Sequence, residues 1–340
     1  MQSAAVVFAI ALALFLLVLF NGTQLPALGL PAVAPIAQLS DVPAIIRGQK
    51  AQKNVPYRIP KPAKIRYLRS PSPVLHPRPA AKALKGAPLV WAFYVNWDPG
   101  SIVSLRLHLS HITHLVPEWL TLANAKGDIN DDTDQTAVEI AHQANLPIFA
   151  LLTNYRDGWK PGDVRRVLKS AELRSDLIGN IRSNLAEHKF AGINIDFESL
   201  QPRDREPLVR FMRELSAEMH RDGYIVSEDV PVDDNAYDLK RLAEVCDYLV
   251  PMIYDEHYQS GEPGPVASEK FFEDELDKVS KLAPPEKLIA GFGNYGYDWQ
   301  IGGTGSEEVT FDDVMAAATE SHTAIEWEQN SENPALRYTL

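Results

Sequence analysis

One cysteine, Cys246, stands in 340 residues, which excludes an intrachain disulfide framework; with no second thiol near it, a cysteine metal knuckle is excluded too. In "LAEVCDYLV" it reads as a core residue. No Gly-rich phosphate loop follows the first candidate strand, which argues against a doubly wound nucleotide-binding sheet. No Lys or Arg closely flanks the apolar N-terminal run, and no Asp or Glu occurs between Arg47 and Lys85. Apolar residues, in contrast, are plentiful. At 45% hydrophobic content the chain can bury a large core and is neither low-complexity nor disordered.

Residues 3 to 20, "SAAVVFAIALALFLLVLF", form an unbroken apolar run about as long as a bilayer-spanning helix. Its basic n-region is missing and it exceeds a usual signal core, so residues 1–22 are expected to be an uncleaved transmembrane anchor, ahead of a cleaved signal. Residues 23–87 follow as a Pro-rich linker, with 11 Lys or Arg from Arg47 to Lys85. Such a segment is expected to be extended: a solvated spacer, or one held against anionic lipid or cell wall. Setting those 11 cations and Asp41 aside leaves 22 basic against 44 acidic residues, a body at −22. No nucleic-acid partner is expected, because phosphate contacts need the opposite sign.

From residue 88 to 340, short β-rich runs alternate with helical patterns. Strands are predicted at 88–95, 112–120, 146–153, 190–198, 224–232, 247–255 and 287–296, with helices at 134–144, 171–187, 203–221, 238–246 and 268–282. Strands separated by helices pair in parallel through right-handed crossovers. Seven such units predict an α/β fold of the TIM-type (β/α) barrel class. An eighth strand is expected beyond Leu340, the sequence being read as a fragment.

"FAGINIDFESL", residues 190–200, would be the fourth barrel strand. Side chains two apart share a face, so Asn194, Asp196 and Glu198 would point into the barrel while Ile193, Ile195 and Phe197 pack outward under the helices. Glu198 falls at the carboxyl end, where barrel enzymes keep their active sites. Burying neighbouring carboxyls raises at least one pKa and lets one hold a proton as a general acid. The bland reading, inward acids paired with a cation, finds no basic residue in the predicted cores of the other strands.

These residues carry a resemblance. "GINIDFE" resembles the signature of glycoside hydrolase family 18, the chitinase-type barrel, which reads Asp-Gly-x-Asp-x-Asp-x-Glu; Ala191 and Asn194 depart from it, whereas Asp196 and Glu198 match. "PMIYD" and "GFGNYGYDW" are similar to the family's sixth- and seventh-strand segments. The resemblance implies hydrolysis of β-linked N-acetylglucosamine polysaccharide, chitin-like or cell-wall glycan, by a substrate-assisted retaining mechanism. Glu198 would protonate the glycosidic oxygen, Asp196 would orient the 2-acetamido group, and Tyr254 would bond its oxygen. Asn194, Asp255, Trp97, Trp119, Tyr295 and Trp299 would bind substrate, the aromatics by stacking on sugar or by ordinary core packing. No cofactor and no metal are expected. The whole layout is similar to the opening of long bacterial membrane proteins that continue into polysaccharide deacetylase and glycosyltransferase domains, so further C-terminal domains and an extracytoplasmic place in the cell envelope are expected. The rival is a non-hydrolytic polysaccharide-binding barrel, which would usually lack the terminal Glu.

Two other clusters carry metal-ligand residue types without the spacing that a metal site needs. His108, His111 and His114 lead into the second strand, where their spacing alternates faces. In "DINDDTDQTAVE" Thr133 sits where a calcium loop needs Gly, and Asp132 or Asp134 reads better as a helix cap.

Overall fold

The computed structural model describes residues 3–8, 89–303 and 305–339. The expected linker and all but six residues of the expected anchor run lie outside them. In chain order the elements are β1 (Ser3–Phe8), β2 (Trp91–Tyr94), α1 (Pro99–His108), β3 (His114–Leu122), β4 (Ile129–Asp131), α2 (Gln135–Gln143), β5 (Phe149–Thr153), α3 (Pro161–Lys169), α4 (Ala171–His188), β6 (Gly192–Asp196), α5 (Arg205–Met219), β7 (Ile225–Pro231), α6 (Leu239–Val245), β8 (Tyr248–Met252), α7 (Glu269–Ser280), β9 (Gly296–Gln300), β10 (Ser306–Val309), α8 (Phe311–Glu320), β11 (Glu326–Glu328) and β12 (Asn333–Thr339).

A curled sheet runs β2-β3-β5-β6-β7-β8 with every neighbouring pair parallel, and β4 adds antiparallel to β3. This is the β/α alternation of a barrel, with helices following the strands. Capping explains where those helices begin. The Asp134 carboxylate accepts from the N–H groups of Thr136 and Ala137 at the start of α2, Ser170 caps α4, and Ser268 caps α7. The outward residues of the strands meet the helices in one large cluster: Ile193, Ile195 and Phe197 lie with Leu208, Phe211 and Met212 of α5, and the Phe197 and Phe211 rings stack at 6.0 Å. The inward face carries a smaller apolar floor of Val116, Phe149 and Leu151. Gly192 permits the closest approach in the sheet, since a Cβ there would lie 2.5 Å from Ile225 O.

The predicted strand at 287–296 is corrected. Only isolated parallel bridges, Leu249 with Leu288 and Met252 with Gly291, continue the sheet beyond β8. At Gly291 a Cβ would meet Pro251 O at 2.8 Å, so the chain is held close there, and it then leaves the sheet. Its continuation joins a second, antiparallel sheet in the order β10-β9-β1-β12-β11.

Within that sheet β1 lies between β9 and β12. Ser3–Phe8 is therefore a strand, which corrects those six residues of the expected transmembrane helix. Its β-competent sequence satisfies two facing strand edges at once, an alternative open to an apolar stretch as long as its backbone groups are paired. Among the described residues no helix is long and apolar enough to cross a membrane.

Candidate active site

At the carboxyl ends of the parallel strands lies a cleft of about 620 Å³. Phe93, Trp97, Trp119, Tyr155, Trp159 and Tyr254 contribute aromatic walls, and Glu118, Asp132, Asp196, Glu198 and Asp229 contribute carboxyls. Among the described residues, no Lys or Arg lines it.

Asp196 is the last residue of β6, and Glu198 follows two positions on, at the mouth. Strand alternation gives both the inward face. The Glu198 main chain is fixed from the neighbouring strand. The buried Asn154, just after β5, donates from Nδ2 to Glu198 O (3.1 Å) and accepts from Glu198 N (2.8 Å) at Oδ1. On the other side the Tyr237 hydroxyl donates to Phe197 O at 2.5 Å. Immediately beyond, Ser199 adopts φ 57°, a left-handed conformation costly to a non-glycine residue and consistent with a backbone held for a purpose.

Burial and like charges then set the proton affinities. Burial pushes the Glu198 carboxyl up to about 8, with the Asp196, Asp255 and Glu118 charges adding to it. Asp196 is pushed up to about 6 by burial, against the lowering effect of a hydrogen bond from Thr153. Burial and the Asp196 charge carry Glu118 to about 7. Asp229 is raised well above the carboxylate range by burial and by Asp196. At neutral pH Glu198 thus holds a proton at the mouth, while Asp196 below it is mostly ionised, so the pair divides into acid and anion.

The other expected residues fall as follows. Asn194 is fully buried beneath the cleft, donating from Nδ2 to Asp229 Oδ2 (2.7 Å) and accepting from Ser227 Oγ at Oδ1 (2.6 Å). Tyr254 lines the cleft, and burial raises its hydroxyl pKa well above the ordinary tyrosine range. Asp255, at φ 61°, accepts from the hydroxyls of Tyr295 (2.5 Å) and Tyr297 (2.9 Å). Tyr295 therefore holds Asp255 and packs against Tyr254. Trp97 is 65% exposed at the rim, and Trp119 is buried with its ring against Tyr94 and Phe190. Trp299 lies apart from the cleft lining, in the antiparallel sheet, packed with Tyr297 and Val266.

Sequence reasoning missed Glu118, Asn154, Tyr155, Trp159 and Asp229. Glu118 sits where a register shift between Glu118 and Leu120 interrupts the pairing of β3 with β5. Asp229 and Glu228 were visible as adjacent acids inside the apolar run "YIVSEDVPV", a pattern that puts one on each face. The histidine and acidic clusters separate: His108 ends α1, His114 opens β3, and Asp134 is the α2 cap. Among the described residues no group of three or more His, Cys, Asp or Glu side chains could hold a metal ion.

A β/α barrel sheet whose mouth gathers buried carboxyls among aromatic walls defines a glycosidase-type barrel. The chain belongs to the family Glycosyl hydrolases family 18, whose sequence profile matches residues 89–337. Among curated proteins it is 27% identical over 214 residues to the cortical fragment-lytic enzyme of Bacillus subtilis, covering 59% of this chain and 50% of that one. It is 25% identical over 260 residues to the cortical fragment-lytic enzyme of Bacillus anthracis, covering 70% and 60%. The chain thus spans about half to two thirds of the length of such relatives. Among solved structures, a chitinase from Chromobacterium violaceum superposes with TM-score 0.67 at 24% identity, covering 74% of this chain and 86% of that one. The Bacillus cereus spore cortex-lytic enzyme SleL superposes with TM-score 0.65 at 22% identity, covering 74% and 64%. At these identities the superpositions speak for the fold.

Proposed function

We propose that this protein hydrolyses β-linked N-acetylglucosamine-containing glycan by a substrate-assisted, retaining mechanism. The observation that carries the reading is the division of protons between Glu198 and Asp196 at the mouth of a cleft that Tyr254 also lines. Glu198, protonated at neutral pH, donates to the glycosidic oxygen as the bond breaks. The substrate's 2-acetamido oxygen attacks the anomeric carbon from the opposite face, and ionised Asp196 orients the acetamido N–H and balances charge on the oxazolinium ion. Tyr254 bonds the acetamido oxygen. Water, deprotonated by the same Glu198 as it returns to its acid form, then opens the ring with retention. The family membership and the chitinase and cortex-lytic names among its relatives agree with this substrate class.

Replacing Glu198 by Gln keeps shape and removes the proton. Hydrolysis of an N-acetylglucosamine oligomer is expected to fall by roughly 10³-fold or more with binding nearly intact, and Asp196→Asn to cost less. Oligomers de-N-acetylated at the cleaved sugar should be inert. Turnover that survives Glu198→Gln, or equal cleavage of the deacetylated oligomer, would overturn the scheme. Binding without turnover in the parent protein would instead mark a polysaccharide-binding barrel.

A further inference from the structure

Asp229 has no part in the steps above, yet it lies in the floor of the cleft. It occupies the inward face of β7, and the β6–β7 register pairs Asn194 with Ser227 and Ile195 with Glu228. The next positions along both strands are Asp196 and Asp229, inward neighbours on strands about 4.8 Å apart. Two acids therefore stand side by side below Glu198. Each leaves its Oδ1 buried without a hydrogen-bond partner.

The bonds beneath them orient the pair. Ser227 Oγ donates to Asn194 Oδ1, which fixes the amide with its Nδ2 turned to Asp229 Oδ2. An amide N–H donates, so Oδ2 is the acceptor, carbonyl-like oxygen of Asp229, and Oδ1 is left to carry a proton. The charged and titratable groups around Asp229 are Asp196 at the end of β6, Glu198 two positions beyond it, Glu228 next in sequence but on the opposite face of β7, and Tyr254 after β8. None of them is a cation. A carboxylate at Asp229 would be an uncompensated charge among like charges, whereas the neutral acid satisfies the site.

We propose that Asp229 is a positioning residue that stays protonated and donates from Oδ1 to Asp196 Oδ1, so that Asp196 remains the anion the reaction needs. The acid pair is then asymmetric by construction, with the proton fixed on β7 and the charge on β6. The proposal rests on the hydrolytic reading for its consequence, though the proton itself can be detected independently of turnover.

Two substitutions separate the roles. Asp229→Asn reproduces the protonated acid: its oxygen still accepts from Asn194 and its NH₂ faces Asp196. It should keep kcat on a fluorogenic N-acetylglucosamine oligomer within about threefold of the parent, with both pH limbs in place. Asp229→Leu keeps the volume and loses the donor. Its kcat should fall by about 10- to 100-fold, the worth of one hydrogen bond to a charged group, with KM little changed. Its acid limb should move up by one to two pH units (about 1–2), as Asp196 loses its donor. A change in packing alone would not move that limb. Infrared difference spectra of the full chain at pH 7 should show a protonated-carboxyl C=O band in the parent that is missing from Asp229→Asn, whose melting temperature reports that it is folded. If the parent cleaves no glycan, the hydrolytic reading fails and the band still decides the state of Asp229. The proposal is overturned if no such band is lost, if Asp229→Asn is as damaged as Asp229→Leu, or if Asp229→Asn moves the alkaline limb down, the mark of a lost negative charge.

Discussion

Asn154 does for Glu198 what no neighbour in sequence does: one amide grips both the N–H and the C=O of the residue that carries the proton. With Asn154→Ala both groups turn to water and the carboxyl loses its fixed reach. A catalytic acid displaced by a fraction of an ångström loses rate before it loses affinity, so kcat should fall by about 10- to 100-fold while KM moves little in steady-state assays. In the parent, kcat/KM should be bell-shaped. It should decline below about pH 6, where Asp196 takes up a proton, and above about pH 8, where Glu198 gives its proton up. A flat profile from pH 5 to 9 would contradict these assignments. Asp196 and Glu198 were legible because strict alternation betrays two acids on one buried face. Asn154 was not, because its role is a contact with a residue 44 positions away, and nothing in "LLTNY" announces the partner.

Gly192 sits where β6 meets β7 and β5 with no room for a side chain. A methyl there would sit 2.5 Å from Ile225 O and 2.9 Å from the Phe149 ring. Gly192→Ala must spread the strands that carry Asp196 and Asp229, and should lower stability by about 1–3 kcal/mol in urea denaturation. A neutral result would mean that the sheet yields there at no cost. The parallel strands up to β8 and five of the helices were readable from apolar runs broken by amphipathic periods. The strand at 287–296 was misread because its glycines look like a strand end, whereas they mark a close approach followed by departure into another sheet. α1 went unread because Pro opens it in a segment that buries only Leu105, whereas α3, also opened by Pro, buries Val164, Val167 and Leu168 at helical spacing and could have been read.

Across the whole molecule the buried carboxyls have one thermodynamic signature. Asp196, Glu118, Glu198, Asp229 and Glu228 all bind protons more tightly folded than unfolded. The contribution of Asp196, Glu118 and Glu198 is fully present below the ordinary carboxyl pKa of about 4 and is lost as pH rises through about 6 to 8, and that of Asp229 and Glu228, raised in the same direction, is lost only as those carboxyls ionise. Asp131 and Asp134 are shifted downward and oppose this only at lower pH, losing their share as the pH falls below the ordinary range. The melting temperature should therefore be highest near pH 5 and fall steadily toward pH 9, with Glu198→Gln flattening the slope. Calorimetry showing a rise over that interval would reverse the assignment. The like charges that help keep Glu198 protonated at neutral pH also strain the fold as they ionise.

One carboxylate joins the two sheets in the same way. Asp255, beside the cleft, takes the hydroxyls of Tyr295 and of Tyr297, and Tyr297 belongs to β9. Both hydroxyls land on Oδ1, which leaves Oδ2 to accept from a sugar hydroxyl while the two tyrosines hold the carboxylate in place. If a ligand takes that oxygen, occupancy of the cleft and firmness of the antiparallel sheet become two readings of a single equilibrium, and by reciprocity whatever loosens that sheet weakens the hold on the ligand by the same factor.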